Sequence, residues 1–366
     1  MNDSSLAARL AAIEGVTLDP EVTFAQLTTL HLGGTPRLAV RCTTVAAVAN
    51  VVSLLDAAAV PALVVGGGSN LVVADGDVDV VAVILECDGV HVEPATGVVV
   101  AEAGAVWDDV VSMCVAAGLG GIECLSGIPG SAGATPVQNV GAYGVEVSDV
   151  LTRVRLWDRE RGVDEWVPAA ALDLAYRYSN LKFSGRAVVL AVELTLHTDG
   201  LSAPLRFGEL VRVLGAEAGD RVPAARVRNA VLELRRGKGM VYDPADVDTW
   251  SAGSFFTNPI VSAAQASKVR AIAEELGKAD SMPCFAVEGG WKLSAAWLID
   301  HAGFAKGYPG DGAVARLSTK HTLALTNRGT ASTADLVGLA REVRRGVEKV
   351  FGVSLEPEPV WVGVTM

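Results

Sequence analysis

Ser126-Gly127-Ile128-Pro129-Gly130-Ser131-Ala132-Gly133-Ala134-Thr135-Pro136-Val137-Gln138-Asn139-Val140-Gly141-Ala142-Tyr143-Gly144 is the stretch on which the reading of this chain turns. It belongs to a longer segment, Gly118 to Gly144, with 8 glycines in 27 residues and neither a helical nor a strand period. Loops of this length inside compact domains are uncommon and usually functional. Ile128, Val137, Val140 and Tyr143 supply apolar anchors that a flexible linker lacks, so the segment reads as an ordered functional loop.

Upstream, the apolar run Pro61 to Val65 opens directly into Gly66-Gly67-Gly68-Ser69-Asn70-Leu71. Without a Cβ in the way, consecutive backbone N–H groups can be approached by a pyrophosphate. The cluster matches neither the P-loop pattern nor a Rossmann fingerprint opening a helix, and by itself it is equally an ordinary tight turn.

Around these clusters the periodicity predicts a helix over Thr44 to Ala59, strands at Val80 to Leu85 and Val98 to Glu102, and a helix from Val106 to Ala117. The span Val150 to Leu196 reads as mostly strand, and Val227, Ala230, Val231 and Leu234 mark a further helix. From about Asp243 to Arg345 the pattern becomes that of a separate α/β unit, with helices at Ala263 to Leu276 and Leu293 to His301 and a strand at Thr322 to Thr326. A last helix starts at the capping box Ser332-x-x-Asp335 and carries Leu336, Leu339, Val343 and Val347 on one face, before an extended end from Val353 to Val364.

Composition narrows the function. The 366 residues suffice for two or three domains, and the longest apolar runs fall far short of the ~18 residues a bilayer span needs. A formal charge of -12 argues against a nucleic-acid partner, although a few local Lys and Arg residues can still hold a small anion. The five cysteines are odd in number, scattered and never spaced as CxxC, which disfavours a disulfide framework or a metal site. The first residues read as no secretory leader, so a cytoplasmic protein without a membrane partner is expected.

The glycine-rich stretch, together with the upstream Gly-Gly-Gly-Ser-Asn, closely resembles the UDP-N-acetylenolpyruvoylglucosamine reductases. The resemblance runs from about Leu27 to Gly363. It implies an α+β protein with the FAD-binding fold of the vanillyl-alcohol-oxidase/PCMH type and a separate α/β substrate-binding domain. The FAD-binding region is then expected over residues 20–242, as subdomains of about 20–78 and 79–242 joined by the end strand 351–366, with the substrate domain over 243–350. Non-covalent FAD would be contacted by Leu30 and Gly33 of Thr28-Thr29-Leu30-His31-Leu32-Gly33-Gly34. It would also meet Gly66, Gly67, Gly68, Ser69, Asn70 and Leu71, and Ser126, Gly127, Pro129, Gly130, Gly133, Ala134, Gln138, Asn139, Gly141, Ala142, Tyr143 and Gly144.

The same resemblance assigns catalysis. Arg177, in Tyr176-Arg177-Tyr178-Ser179, would face the substrate carboxylate. Ser254, in Gly253-Ser254-Phe255-Phe256-Thr257-Asn258-Pro259, would be the proton donor, and Glu358, in Leu355-Glu356-Pro357-Glu358, matches the catalytic glutamate. The expected reaction is NADPH-dependent reduction of UDP-N-acetylglucosamine enolpyruvate. Tyr176, Phe207, Lys238, Asn258, Lys292 and His321 are expected near the substrate or the nicotinamide nucleotide, and a monomer is expected. Phe207 departs from the tyrosine common in long-form members, keeping the ring but not a hydroxyl for a substrate phosphate.

The chemistry is independent of the resemblance. Hydride addition to an enol ether conjugated to a carboxylate builds charge at the neighbouring carbon and the carboxylate. A planar guanidinium suits the carboxylate, an acidic or hydrogen-bonded carboxyl can share the charge, and a hydroxyl can protonate so basic a carbon. Read without the resemblance, Arg177, Ser254 and Glu358 are a surface ion-pair partner, a turn residue and a solvated acid. Two other functions stay open on sequence alone: an FAD oxidase of the same fold acting on an alcohol or hydroxy acid, and a sugar-nucleotide or flavin-binding protein without turnover. Oxidases of that fold often tether flavin through a histidine beside the first glycine turn, and no histidine stands near Asn70.

Overall fold

Helix Val45–Ala57 shows why the first part of the chain folds as it does. Thr44 stands at its N-cap in extended conformation, and its hydroxyl accepts the Ala47 N–H. That cap contributes about 1 kcal/mol. The helix buries Val45, Val48, Val51, Val52 and Leu55, and strand Ala62–Val65 follows it, parallel to strand Asp77–Leu85. The resulting sheet has the order Val16–Leu18, Thr35–Cys42, Asp77–Leu85, Ala62–Val65.

The computed structural model describes residues 3–366. The chain divides into two compact units: residues 1–22, 36–68 and 79–236, and residues 23–35, 69–78 and 237–366. The expected boundary at 242 lies close to Gly237, where the second unit resumes. Two short stretches, one holding Leu30 and Gly33 and the other Ser69, Asn70 and Leu71, are grouped with that second unit, as is the end strand.

The first unit holds a second sheet of five antiparallel strands in the order Val163–Pro168, Leu151–Asp158, Ala187–Thr195, Val98–Glu102, Val90–Glu93. Helices Trp107–Ala116 and Ala224–Gly237 supply Trp107, Val110, Val111, Cys114, Val227 and Val231 to one apolar core with it. Another core in this unit gathers helix Val45–Ala57 with Val40, Val81, Val83 and Leu190.

The second unit is organised by helix Thr333–Phe351. The expected capping box is present: Ser332 Oγ accepts the Asp335 N–H at 3.1 Å and the Asp335 carboxylate accepts the Ser332 N–H at 2.9 Å. Asp75 adds a second acid at this end, taking the Thr333 and Ala334 N–H groups, which favours the positive end of the helix dipole. Gly352, at φ 64°, closes the helix. Leu336, Leu339, Val343, Val347 and Phe351 are buried against Phe255, Leu298 and Leu325 in this unit's own core. A three-stranded sheet of Ile260–Val261, Gly290–Leu293 and Cys284–Val287, an antiparallel pair of Ala315–Leu317 with Leu325–Asn327 and a parallel pair of Leu71–Val73 with Val360–Val362 complete it.

Several elements differ from expectation. The strand expected over Thr322–Thr326 begins only at Leu325, because Ser318–Ala324 forms a turn closed by Ser318 N–H to Ala324 O and Ala324 N–H to His321 O. The helix expected from Leu293 begins at Ala295, after the Ser294 cap on the Trp297 N–H. Helices Asp3–Ala11, Phe24–Leu27 and Gly208–Leu214 had no counterpart in the sequence reading. Among the described residues no helix is long and apolar enough to cross a membrane.

Candidate active site

In the first unit the two glycine clusters meet. A Cβ on Gly66 would stand 2.1 Å from Ser131 Oγ, and one on Gly67 would stand 2.7 Å from Gly130 Cα. Only glycine permits this backbone approach. Between the clusters lies Ser131, 3% exposed, whose hydroxyl has no hydrogen-bond partner in the protein. A buried donor left without an acceptor is costly, so this position suits an anionic acceptor brought in by a ligand. Sequence reading passed over Ser131; the signal was a hydroxyl enclosed by glycines at the one point where the clusters touch.

The glycine-rich segment is held rather than loose. The Asp108 carboxylate accepts the Gly127 N–H at 2.6 Å and pairs with Arg228. Burial pushes the Asp108 carboxyl up, but the Arg228 bond and the Gly127 N–H outweigh it and hold it below its ordinary range. Glu123 is fully buried and accepts the Gly121 and Ala203 N–H groups, tying the segment to the chain leaving strand Ala187–Thr195; burial raises its pKa. Arg235 donates to Gly127 O, and burial draws its guanidinium down to about 10, still charged at neutral pH. It recurs at i+4 after Val227 and Val231, so an arginine continuing an apolar stripe was the sequence signal.

Farther along the same segment, Tyr143 packs edge-on against Phe207, ring centroids 5.3 Å apart, and burial raises its phenol pKa. Phe207 is 41% exposed. Arg177 sits at the tip of a tight turn in which Ala175 and Tyr178 exchange backbone hydrogen bonds at 3.1 Å. Its φ of 55° is a conformation that non-glycine residues adopt at a cost of order 1 kcal/mol. Arg177 Nη2 donates to Gly141 O at 2.7 Å, and Arg177 also lies over the Tyr176 ring.

The second unit joins Ser254 and Glu358, which are distant in sequence. Glu358 N–H donates to Phe255 O at 2.9 Å, Thr257 N–H donates to Glu356 O at 3.0 Å, and Phe256 bridges Pro357. This antiparallel pairing sets Glu358 opposite the residue after Ser254. Asn70 is tied to the same place, its amide donating to Glu358 O and its carbonyl accepting the Val360 N–H. The segment with Leu30 is pinned by Asn327, which donates to Leu30 O and His31 O. Gly33 has a packing reason of its own: a Cβ there would stand 2.7 Å from Phe24 Cβ. Asn258 Oδ1 accepts the Ala295 N–H at the start of helix Ala295–His301, and Lys292 lies in the strand paired with Ile260. Lys238 and His321 belong to this unit as well. Among the described residues no group of His, Cys, Asp and Glu could hold a metal ion.

Residues 36–163 match the FAD binding domain family, and residues 243–362 match the family described as UDP-N-acetylenolpyruvoylglucosamine reductase, C-terminal domain. The chain is 66% identical to UDP-N-acetylenolpyruvoylglucosamine reductase 2 of Corynebacterium glutamicum, over 100% of the chain and 99% of the relative. It is 52% identical to the UDP-N-acetylenolpyruvoylglucosamine reductase of Mycolicibacterium smegmatis, over 97% and 98%. The crystal structure of the corresponding reductase from Thermus caldophilus superposes with a TM-score of 0.64 at 24% identity, covering 95% of this chain and 99% of that one, which extends the likeness to the fold. The fold is accordingly the expected α+β, PCMH-type FAD-binding architecture, and the chain belongs to the UDP-N-acetylenolpyruvoylglucosamine reductase family of oxidoreductases.

Proposed function

We propose that the protein catalyses the NADPH-dependent, FAD-mediated reduction of UDP-N-acetylglucosamine enolpyruvate to UDP-N-acetylmuramate, a step toward peptidoglycan, as a cytoplasmic monomer. The observation that supports this most directly is the strand pairing that puts Glu358 opposite Phe255, next to Ser254. A hydroxyl and a carboxyl 104 residues apart are thereby held in one local frame.

Bound through the Gly66–Gly67 and Gly130–Ser131 backbone and the Ser131 hydroxyl, FAD would supply a two-electron carrier that takes hydride from NADPH and passes it to the substrate. The protein's part is to place and protonate the sugar nucleotide. Arg177 grips the carboxylate of the enolpyruvyl group with its fork of donors and draws electron density toward it. As hydride forms a C–H bond at the terminal carbon, the π pair moves to the neighbouring carbon, where Glu358 shares the charge. Ser254 then donates its hydroxyl proton to that carbon and is reprotonated from solvent, so the C=C bond becomes a C–C single bond with two new C–H bonds. Lys238, Lys292, Asn258, Tyr176, Phe207 and His321 are assigned to substrate and nucleotide binding.

An anaerobic absorbance experiment tests the proposal. The purified yellow protein should bleach with NADPH and regain colour when the enolpyruvyl sugar nucleotide is added, but not with UDP-N-acetylglucosamine lacking the enol ether. Colour restored only by oxygen would overturn the assignment.

A further inference from the structure

We infer that Asn139 is a positioning residue, which fixes the Arg177 turn to the glycine-rich segment instead of lending its side chain to the cofactor. The inference rests on the role proposed above for Arg177. Asn139 is 1% exposed and adopts φ 46°, a conformation that asparagine tolerates better than most residues. Its side chain is committed within the protein: Nδ2 donates to Glu146 Oε2 at 2.8 Å and to Ala175 O at 3.1 Å, and Oδ1 accepts the Ser148 N–H at 3.1 Å. Both amide hydrogens are thus used, one of them on the residue that opens the Arg177 turn.

Two further ties run between the same segments. Ser179 Oγ, at the far side of the turn, donates to Val137 O, and Arg177 donates to Gly141 O. Gly141 leaves the room this needs, since a Cβ there would stand 3.2 Å from Arg177 Nη1 and 2.8 Å from Glu146 Cγ. Lys182 Nζ caps the Arg177 carbonyl at 3.1 Å. The turn is therefore tied to residues 137 and 139 of the glycine-rich segment through Ser179 and Ala175, and the guanidinium itself to Gly141. Because Arg177 is held at positive φ, loss of these ties lets the turn relax and carries its side chain away from where it is needed. Displacements of about an ångström in a substrate-positioning group cost up to about a hundredfold in rate.

Asn139→Gly tests this, since glycine keeps the backbone conformation and removes only the side chain. FAD affinity, measured by flavin fluorescence, and bleaching by NADPH should stay within about threefold of wild type. Reoxidation by the enolpyruvyl sugar nucleotide should slow between about tenfold and a hundredfold. Acting through Arg177, the substitution should add little to Arg177→Ala in the double variant, whereas a general loss of structure would add in full. Weakened FAD binding matched to the lost rate, unchanged reoxidation, or full additivity would each overturn the inference. If Asn139→Gly does not fold, Ser179→Ala cuts the neighbouring tie and must show the same pattern. An Arg177→Ala variant that reoxidises normally would instead remove the role proposed for Arg177.

Discussion

Arg177 and the Ser254–Glu358 pair are held in place by different means. Arg177 stands on a strained two-residue tip whose position depends on side-chain bonds from Asn139 and Ser179 and on its own guanidinium. Ser254 and Glu358 are aligned chiefly by main-chain bonds between segments 255–257 and 356–358, with side-chain bonds from Asn70 to Glu358 O and from Thr257 to Glu356 O beside them. Substitution around Arg177 should therefore displace a functional group without touching it, whereas around Ser254 only replacement of the functional side chain itself should count. Main-chain registration is insensitive to the identity of neighbours, while side-chain lacing is not.

The largest effect expected from this contrast is that of Ser254→Ala. Hydride transfer from NADPH generates no carbanion, so bleaching should proceed at near wild-type rate. Reoxidation by the sugar nucleotide should fall by about 10²- to 10⁴-fold, with little change in substrate affinity. Stopped-flow absorbance follows both steps. Equal slowing of both would mean that Ser254 shapes the flavin environment, and slowing of neither would remove its assignment as proton donor.

Next in size is a comparison of two glycines that look alike in sequence. Gly67→Ala forces a Cβ to 2.7 Å from Gly130 Cα, and backbone cannot swing aside as a side chain can. Gly33→Ala meets Phe24 Cβ at 2.7 Å, at φ 113°. Both should destabilise by about 1–3 kcal/mol. On the proposed binding of FAD by the two glycine clusters, Gly67→Ala, which meets the other cluster at Gly130, should release FAD at temperatures where the protein remains folded. Gly33→Ala, which meets Phe24 and Val73, should not, against the FAD contact expected of Gly33 from sequence. Melting curves with parallel flavin fluorescence would show it, and equal FAD loss from both variants would mean that the distinction is false. Released flavin should in either case come free of the chain in acid, there being no histidine beside Asn70 to tether it.

The glycine clusters, the Ser332 capping box with its helix and the helical spacing after Thr44 were legible because local rules govern them: a cap needs only a hydroxyl and an amide three residues on. Ser254 and Glu358 were legible as motifs, but their pairing was not, since β pairing across about a hundred residues leaves no periodic trace. For the same reason the parallel pairing of Leu71–Val73 with Val360–Val362 could not be read ahead. The strand expected at Thr322 failed through turn chemistry around His321, which an apolar alternation conceals. Glu123 was missed because a buried carboxylate declares itself only through the N–H groups that folding brings to it, whereas the signals for Ser131 and Arg235, a hydroxyl among glycines and an arginine at i+4 on an apolar stripe, are weak without the fold.

Each unit also contains an acid held low beside an arginine, and these contribute to the acid limit together with Asp158, Asp199 and Asp335, which are lowered as well. Asp108 is held below its ordinary range by Arg228 and the Gly127 N–H, against the opposing effect of burial. Asp248 is likewise lowered despite burial, by the Thr319 hydroxyl and N–H and by Arg328 at 2.8 Å. Groups with depressed folded pKa values contribute stability that is present above the unfolded value, here 3.8, and is lost as pH falls through the folded value. Melting temperature should therefore hold near neutrality and drop below about pH 4. Asp108→Asn should shallow that drop while Asp248 remains titratable. An acid limb unchanged in Asp108→Asn would show that Asp108 contributes nothing to it.

The smallest effect expected is that of Phe207→Tyr, and it bears on the same contrast because this ring meets the glycine-rich segment through an edge contact with Tyr143. The residue is 41% exposed, so a hydroxyl can be added without a buried donor being left unsatisfied. The T-shaped contact with Tyr143 at 5.3 Å uses the ring and not its substituent, so it should persist. A restored phosphate contact would tighten sugar-nucleotide binding by at most about 1 kcal/mol, the net worth of one hydrogen bond, with bleaching by NADPH unchanged. Titration of substrate against the oxidised protein measures the first quantity and stopped-flow absorbance the second. A marked loss of FAD would instead mean that the Phe207 ring supports the Tyr143 side of the flavin cradle, and that its exposure conceals a structural duty.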